Sequence, residues 1–175
     1  KAVSSASQLY QIAALMTQLG ETAASERILR RSHELDPNHP ATCNDLGYML
    51  ADEGRELDFA EKLLWRAVGA EPDNPAYVDS LGWLLYKRGK FAEASQYLEQ
   101  AVQASEPPDA VVLDHAGDAA HRVGQIDRAK QHWKQAVDML RQRTGHDPQL
   151  RLRVEQKLRQ LETGADVGVA PAEAK

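Results

Sequence analysis

A repeat of about 35 residues is the feature of the sequence that most restricts its fold. Glycine follows leucine or alanine at three places spaced by 35 residues: Leu46-Gly47, Leu81-Gly82 and Ala116-Gly117. The same step, to within one residue, separates the members of four further series: Gly20, Gly54, Gly89 and Gly124; Ala60, Ala94 and Ala129; Ala67, Ala101 and Ala136; Pro37 and Pro72. A period of this length indicates a stack of helical repeats.

The composition is that of a soluble helical protein with a hydrophobic core. Of the 175 residues, 42% are hydrophobic and 27% are charged, and no apolar run approaches the length that spans a bilayer. The net charge of −5 argues against nucleic acid as the main partner. The single cysteine, Cys43, excludes an internal disulfide and a thiolate zinc cluster, and we expect it to pack in the core.

Apolar periodicity divides the chain into four helix pairs and one last helix. Within 6–19, apolar residues recur at spacings of three and four, which predicts one helical face, and Gly20 ends that helix. The pattern predicts one domain, 6–162, with repeats at about 6–39, 40–74, 75–109 and 110–143 and a capping helix at 148–162. We predict a loop at 144–146 and a disordered tail at 163–175.

Glycine in the middle of a helix calls for a packing reason. Gly47, Gly82 and Gly117 each cost about 1 kcal/mol relative to alanine. We therefore expect the second helix of each repeat to approach closely at these positions. On this basis Gly82→Leu should cost several kcal/mol by overpacking, and an unchanged melting temperature would contradict the assignment.

These motifs together resemble the tetratricopeptide repeat (TPR) family over about 6–143, and more loosely its bacterial members, which include cell-envelope lipoproteins. In the first repeat, Ala13 replaces the mid-helix glycine of that pattern, and Ser25 and Ser32 replace its alanines. The resemblance implies an all-α fold, a right-handed α-solenoid of four TPR helix pairs plus a C-terminal capping helix. It also implies a scaffold without catalysis whose first helices line a concave groove for a peptide or helix of a partner.

Helical geometry projects a ligand groove onto the face of each first helix that points away from the second helix. The groove residues predicted in this way are Tyr10, Asn44, Tyr48, Asp79, Trp83, Tyr86, Lys87, Asp114, Asp118, His121 and Arg122. We expect Tyr48, Trp83 and Tyr86 to be exposed interface anchors. Packing between repeats is the alternative for the two tyrosines. Asn44 is a candidate hydrogen-bonding partner for a ligand backbone.

Acidic residues predict the charge of the ligand. Asp79, Asp114 and Asp118 would form an acidic patch that favours a ligand carrying Lys or Arg, with a solvated acidic face as the alternative. We expect no metal site there and no dry cleft that shifts carboxylate pKa values. The basic charges of 141–161 are expected to solubilise the outer face of the capping helix. The alternative is docking on an acidic neighbour, anionic lipid or nucleic acid.

Several other activities find no support in the sequence. It contains no P-loop, dinucleotide fingerprint or nucleophile elbow, so we expect no catalytic residues and no cofactor. The TPR subgroup that clamps chaperone carboxylates uses Lys, Asn and Arg at groove positions. We expect no such clamp, because those positions hold other residues here. These residues are Tyr10, Ala14, Asp45, Ala76 and Ser80.

The leading functional hypothesis is a non-catalytic protein–protein interaction scaffold with a peptide or helix bound in the concave groove. One alternative is a structural module that forms homo-oligomers through its ends or its convex face. The other is a regulatory segment of a larger enzyme. The identity of the protein partner stays open, as does the choice between cytoplasm and periplasm.

Overall fold

The chain folds into α-helices. The computed structural model describes residues 5–142, 147–165 and 167, and within them there are nine helices and no strand. The helices are α1 (Ala6–Gln18), α2 (Thr22–Leu35), α3 (Pro40–Asp52), α4 (Leu57–Ala70), α5 (Pro75–Lys87), α6 (Phe91–Ala104), α7 (Ala110–Arg122), α8 (Ile126–Gln142) and α9 (Pro148–Thr163). The predicted all-α repeat fold is confirmed. The chain divides into two compact halves, Lys1–Leu84 and Leu85–Lys175, called here the N-half and the C-half.

In the N-half, helices pair as the repeat pattern predicts. Helix α1 packs on α2, α3 packs on α4, and α2 also contacts α3. A Cβ atom placed on Gly47 would lie 2.7 Å from Leu64 Cγ of α4 and 3.3 Å from the Ala60 carbonyl oxygen. The glycine is therefore required by the close approach of the second helix, as predicted. Cys43 is fully buried, also as predicted.

Two serines replace alanines in the first helix pair. The Ser25 hydroxyl donates a hydrogen bond to the Ala13 carbonyl at 2.9 Å, and the Ser32 hydroxyl donates to the Ala6 carbonyl at 2.8 Å. Both serines are fully buried. These departures from the family pattern thus hold α2 to α1 by side-chain hydrogen bonds.

In the C-half, α7 packs on α8, and α8 packs on α9. A Cβ atom on Gly117 would lie 2.5 Å from Cδ1 of Trp133, which is fully buried. Trp133 belongs to a core cluster that includes residues of α7, α8 and α9: Leu113, Ala136, Leu140, Leu150 and Val154. Helix α9 thus covers the apolar face of α8, as expected of a capping helix.

The turns follow the glycine series. Gly20, Gly54, Gly89 and Gly124 have φ angles of 77°, 67°, 75° and 79°, which are left-handed values that glycine adopts at low cost. The loop of the second repeat is one residue longer than that of the first. Its last residue, Glu56, takes the left-handed conformation with φ 49° and forms an ion pair with Arg30.

The C-terminal boundaries lie partly outside the described residues. Helix α9 begins at Pro148, where Asp147 caps it by accepting from Gln149 N at 2.9 Å. Val167 is buried in the C-half core, whereas the loop predicted at 144–146 and residues 166 and 168–175 of the predicted tail lie outside the described residues. The domain limits drawn from the sequence stay a prediction.

Candidate functional site

A cluster of tyrosine, asparagine and aspartate side chains lies on the first helices of the N-half. We call it the tyrosine–aspartate face and define it by Tyr10, Asn44, Asp45, Tyr48 and Asp52. Asp45 accepts a hydrogen bond from Asn44 Nδ2 at 3.0 Å, and the Tyr10 hydroxyl is close enough for the charge of Asp45 to raise the pKa of Tyr10. The face thus joins α1 to α3 by polar contacts.

His39 supports the tyrosine side of this face. It is the N-cap of α3, and its Nδ1 accepts from the Thr42 backbone N–H at 3.2 Å. Its Nε2 lies 3.2 Å from the Ser7 hydroxyl, and its ring centroid lies 5.5 Å from that of Tyr10. Tyr10 is thereby held between a carboxylate and an imidazole.

Burial shifts the pKa values of two ionisable groups of the face. Burial raises the pKa of Asp45, and the hydrogen bonds from Asn44 and Tyr10 act in the opposite direction. Burial, followed by the charge of Asp45, also raises the pKa of Tyr10. At neutral pH Tyr10 therefore keeps its hydroxyl proton and serves as a hydrogen-bond donor.

The first helices of the N-half carry only negative charge. Helix α1 has no charged residue, α3 has Asp45 and Asp52, and the part of α5 up to Leu84 has Asp79. No Lys or Arg occurs in these segments. The five residues that define the face thus include two carboxylates and no Lys or Arg.

Asn44, Tyr48 and Tyr10 are the residues of this face that the sequence predicts to contact a ligand. Tyr10 and Tyr48 are partly exposed. Asn44 is 8% exposed, and its Oδ1 has no hydrogen-bond donor among the described residues. The assignment of these residues to a ligand groove stays a prediction.

The exposure expected for two aromatic anchors is wrong. Trp83 is only 4% exposed, and its indole N–H donates to Asp52 Oδ1 at 2.9 Å. Tyr86 is fully buried, with its ring edge-on to Phe91 at 5.2 Å between centroids. Asp79 is also buried, at 6% exposure. Helical projection places residues on a face but does not show which neighbours cover that face.

The remaining predicted residues of the C-half are more accessible. Lys87 and His121 are partly exposed and Arg122 is exposed. The Arg122 guanidinium stacks over Phe91 at 4.5 Å from the ring centroid, and the His121 ring lies 5.8 Å from that of Trp133.

The acidic patch predicted at Asp114 and Asp118 is not a solvated surface. Both aspartates are buried under α9, where Lys157 Nζ donates to Asp114 Oδ1 at 2.7 Å and to Asp118 Oδ1 at 2.5 Å. Lys157 is itself 3% exposed, and the exposed Arg153 lies 3.6 Å from Asp114 Oδ2. We call Asp114, Asp118 and Lys157 the buried triad.

Two further expectations fail at the buried triad. Burial raises the pKa of Asp118 to about 6, and the negative charge of Asp114 adds to this while Lys157 opposes it. A buried carboxylate environment that shifts a pKa therefore exists, contrary to the sequence-based expectation. Lys157 docks on an acidic neighbour, so not all of the basic charges of α9 solubilise its outer face.

Sequence reasoning overlooked Asp45 and Lys157 as site residues. Asp45 was considered only as a position of the carboxylate clamp. Lys157 follows Leu150 and Val154 at helical spacing, which places it on the apolar face of α9. A lone lysine in such a stripe is a signal for a buried acidic partner, since Lys is seldom buried unpaired.

The described residues contain neither a group that could hold a metal ion nor a helix that could span a membrane. Within 5–142, 147–165 and 167, no group of three or more His, Cys, Asp or Glu side chains is placed to hold a metal ion. Across the same residues, no helix has both the length and the apolar character that crossing a bilayer demands.

The comparisons with known proteins agree with this geometry. Residues 77–106 match the family model described as tetratricopeptide repeat. A solved structure described as a thermophilic TPR protein, from Thermus thermophilus, has a TM-score of 0.66 at 18% identity and covers 86% of this chain and 79% of its own. The chain thus has the fold of tetratricopeptide repeat proteins, and residues 77–106 match the model of one such repeat. No curated protein sequence matches the chain.

Two other structures share the tetratricopeptide repeat architecture of this chain. That of pilF from Pseudomonas aeruginosa has a TM-score of 0.70 at 20% identity, covering 91% of this chain and 68% of its own. That of a Thermobaculum terrenum O-GlcNAc transferase mutant has a TM-score of 0.64 at 25% identity, covering 78% of this chain but 26% of its own. Tetratricopeptide repeat proteins are generally non-catalytic scaffolds, but this transferase leaves the expected lack of catalysis a prediction.

Proposed function

We propose that this protein is a scaffold that binds a peptide or helix of a partner protein on the tyrosine–aspartate face. The observation that carries the proposal is the charge pattern of the N-half first helices, which contain three aspartates and no Lys or Arg. Such a face selects a ligand that carries Lys or Arg.

The partly exposed tyrosines supply the apolar part of the interaction. Tyr10 and Tyr48 each offer a large ring with a hydroxyl at its tip, the combination that is enriched at protein interfaces. Tyr10 is already oriented by Asp45 and His39, so little side-chain entropy is lost when a ligand packs on it.

Asn44 provides a contact for the ligand backbone. An unpaired buried acceptor costs about 1–3 kcal/mol, and the Asn44 Oδ1 atom lacks a donor in the free protein. A peptide N–H that reached this oxygen would recover that cost.

The test is selection of peptides from a random library displayed on phage, followed by calorimetry. We expect the selected peptides to be rich in Lys or Arg and to bind more weakly at high salt. Tyr48→Ala should weaken binding by about tenfold or more, since interface tyrosines are frequent hot spots. Tyr97→Ala in α6 is the matched control and should bind like the wild type. Peptides without basic residues, or equal binding by Tyr48→Ala, would contradict the proposal.

A second candidate is a regulatory segment of a larger enzyme. It is favoured by the likeness of most of this chain to 26% of the O-GlcNAc transferase chain. Sequencing of the complete gene would test it, because a catalytic domain in the same reading frame is expected only under this hypothesis.

A further inference from the structure

One face of α1 is exposed although half of it is apolar. Ile12, Leu15 and Leu19 are 41%, 56% and 72% exposed. They alternate at helical spacing with exposed glutamines, and we call the whole set the α1 stripe: Gln8, Gln11, Ile12, Leu15, Gln18 and Leu19. Spacings of three and four place these six residues on one side of the helix.

Three of the positions that correspond to apolar residues of the stripe are buried in later repeats. Leu46 and Leu81 occupy the position of Ile12, and Leu84 occupies that of Leu15, and all three are fully buried. Met49, at the Leu15 position of the second repeat, is partly exposed, so burial at these positions is frequent among the repeats but not uniform. The exposure of the α1 stripe leaves apolar area that a packed helix would remove from water.

The α1 stripe also lacks charge. Among the nine helices of the described residues, α1 is the only one without Asp, Glu, Lys or Arg. An exposed helix ordinarily carries charged residues on its outer face. A partner of opposite charge would find nothing to pair with here, whereas an identical uncharged face can approach without repulsion despite the net charge of −5 on each chain.

The side chains of the α1 stripe are self-complementary. A glutamine amide both donates and accepts, so it can pair with the same amide of another copy. Leucine and isoleucine likewise pack against their own kind. A two-fold interface requires this property, because the same surface patch serves both subunits.

We propose that the α1 stripe is a two-fold dimer interface between two copies of this chain. In an antiparallel pairing, Ile12 and Leu15 of each copy flank the symmetry axis, and the glutamines lie toward the two ends. Tyr10 lies on another side of α1, where its ring centroid is 5.5 Å from that of His39. The dimer therefore leaves the tyrosine–aspartate face accessible, and this inference does not depend on the peptide-binding proposal.

Sedimentation velocity with light scattering tests the dimer directly. We expect the wild type to reach twice its 19.4 kDa mass as concentration rises. Leu15→Lys should weaken dimerisation by about tenfold or more, because it places a lysine of each copy in an apolar interface. Leu152→Lys on α9 is the matched control, since Leu152 has the same 56% exposure, and it should dimerise like the wild type.

Three results would overturn the proposal. They are a wild type that stays monomeric up to its solubility limit, a Leu15→Lys variant that dimerises like the wild type, and a Leu152→Lys variant that is weakened equally. Because both leucines are exposed, neither substitution should unfold the chain, and circular dichroism will verify this. As a second measurement, Leu15→Cys in a Cys43→Ala background should be cross-linked into dimers by a short bismaleimide, and Leu152→Cys should not.

Discussion

Replacing Lys157 by methionine should separate the two roles that α9 combines, apolar cover and charge pairing. Methionine keeps much of the apolar stem of lysine but removes the ammonium group. Asp114 and Asp118 would then remain buried without their cation, apart from the exposed Arg153 at 3.6 Å from Asp114. Breaking a buried ion pair in this way typically costs about 3–5 kcal/mol.

The protonation of aspartate sets an upper limit on this cost. A buried carboxylate that has lost its partner can take up a proton. Moving a pKa from 3.8 to pH 7 at 1.36 kcal/mol per pH unit corresponds to about 4 kcal/mol for each carboxylate. We therefore expect Lys157→Met to lower the free energy of unfolding by about 4 kcal/mol at pH 7. The deficit should shrink by about 1.4 kcal/mol between pH 7 and pH 6, because below pH 6 the proton on Asp118 stabilises the wild type as well.

Asp118→Asn should raise the free energy of unfolding at pH 7, whereas Lys157→Met should lower it. The pKa of Asp118 is raised from 3.8 to about 6 by burial, so the folded state binds its proton more tightly than the unfolded state does. Stability contributed by this proton is therefore present below pH 3.8 and is lost as the pH rises through 6. Asparagine avoids that loss and leaves Lys157 paired with Asp114. The free energy of unfolding at pH 7 should therefore increase by up to about 3 kcal/mol.

Urea unfolding followed by circular dichroism at pH 5 and pH 7 measures these differences. Hydrogen exchange of α9 then shows whether the effect is local to the capping helix. Lys130→Met is the matched control, because Lys130 is 42% exposed and its partner Glu162 lies 3.9 Å away. An exposed pair of this kind contributes less than about 1 kcal/mol. The reasoning is refuted if Lys157→Met costs no more than this control, or if Asp118→Asn destabilises as strongly as Lys157→Met.

Substitutions at three further positions test individual contacts, with free energies of unfolding from denaturant titration as the measurement. Gly117→Ala should cost about 1–3 kcal/mol because its Cβ would lie 2.5 Å from Trp133 Cδ1. An unaltered denaturation midpoint would show that the indole can move aside at no cost in stability. Ser32→Ala restores the alanine of the family pattern yet should cost about 1 kcal/mol, since the hydrogen bond to the α1 backbone is lost. Glu56→Ala and Glu56→Gly both lose the ion pair to Arg30, but the glycine variant should be about 1 kcal/mol more stable because φ is 49°, and equal stabilities would argue against backbone strain there.

The helical repeat could be predicted from the sequence because its determinants are local and recurrent. Gly47 and Gly117 occur at a fixed interval and each faces a large side chain of the paired helix, so the spacing alone indicates the close approach. The turn at Gly20 is equally local, since its left-handed conformation depends on neighbouring residues.

The candidate site could be predicted only in part, because exposure is not a local property. Helical projection brought Asn44 and Tyr48 onto a ligand-facing side of α3, but it could not show that Trp83 turns its indole to Asp52. Asp118 is 39 residues from Lys157 in sequence, so nothing near either residue indicates that they meet.

The serines at positions 25 and 32 have a consequence for the dimer proposed on α1. Methyl groups at a helix contact permit small sliding and rotation, because dispersion changes little over such displacements. Two serine hydroxyls, each hydrogen-bonded to one carbonyl oxygen and placed two turns apart, hold the helix in a single position. Helix α1 is anchored at Ala6 and Ala13 in this manner, and its outward side chains are thus presented at a fixed angle. A surface destined for recognition benefits from such pre-organisation, since less freedom remains to be lost when a second molecule arrives.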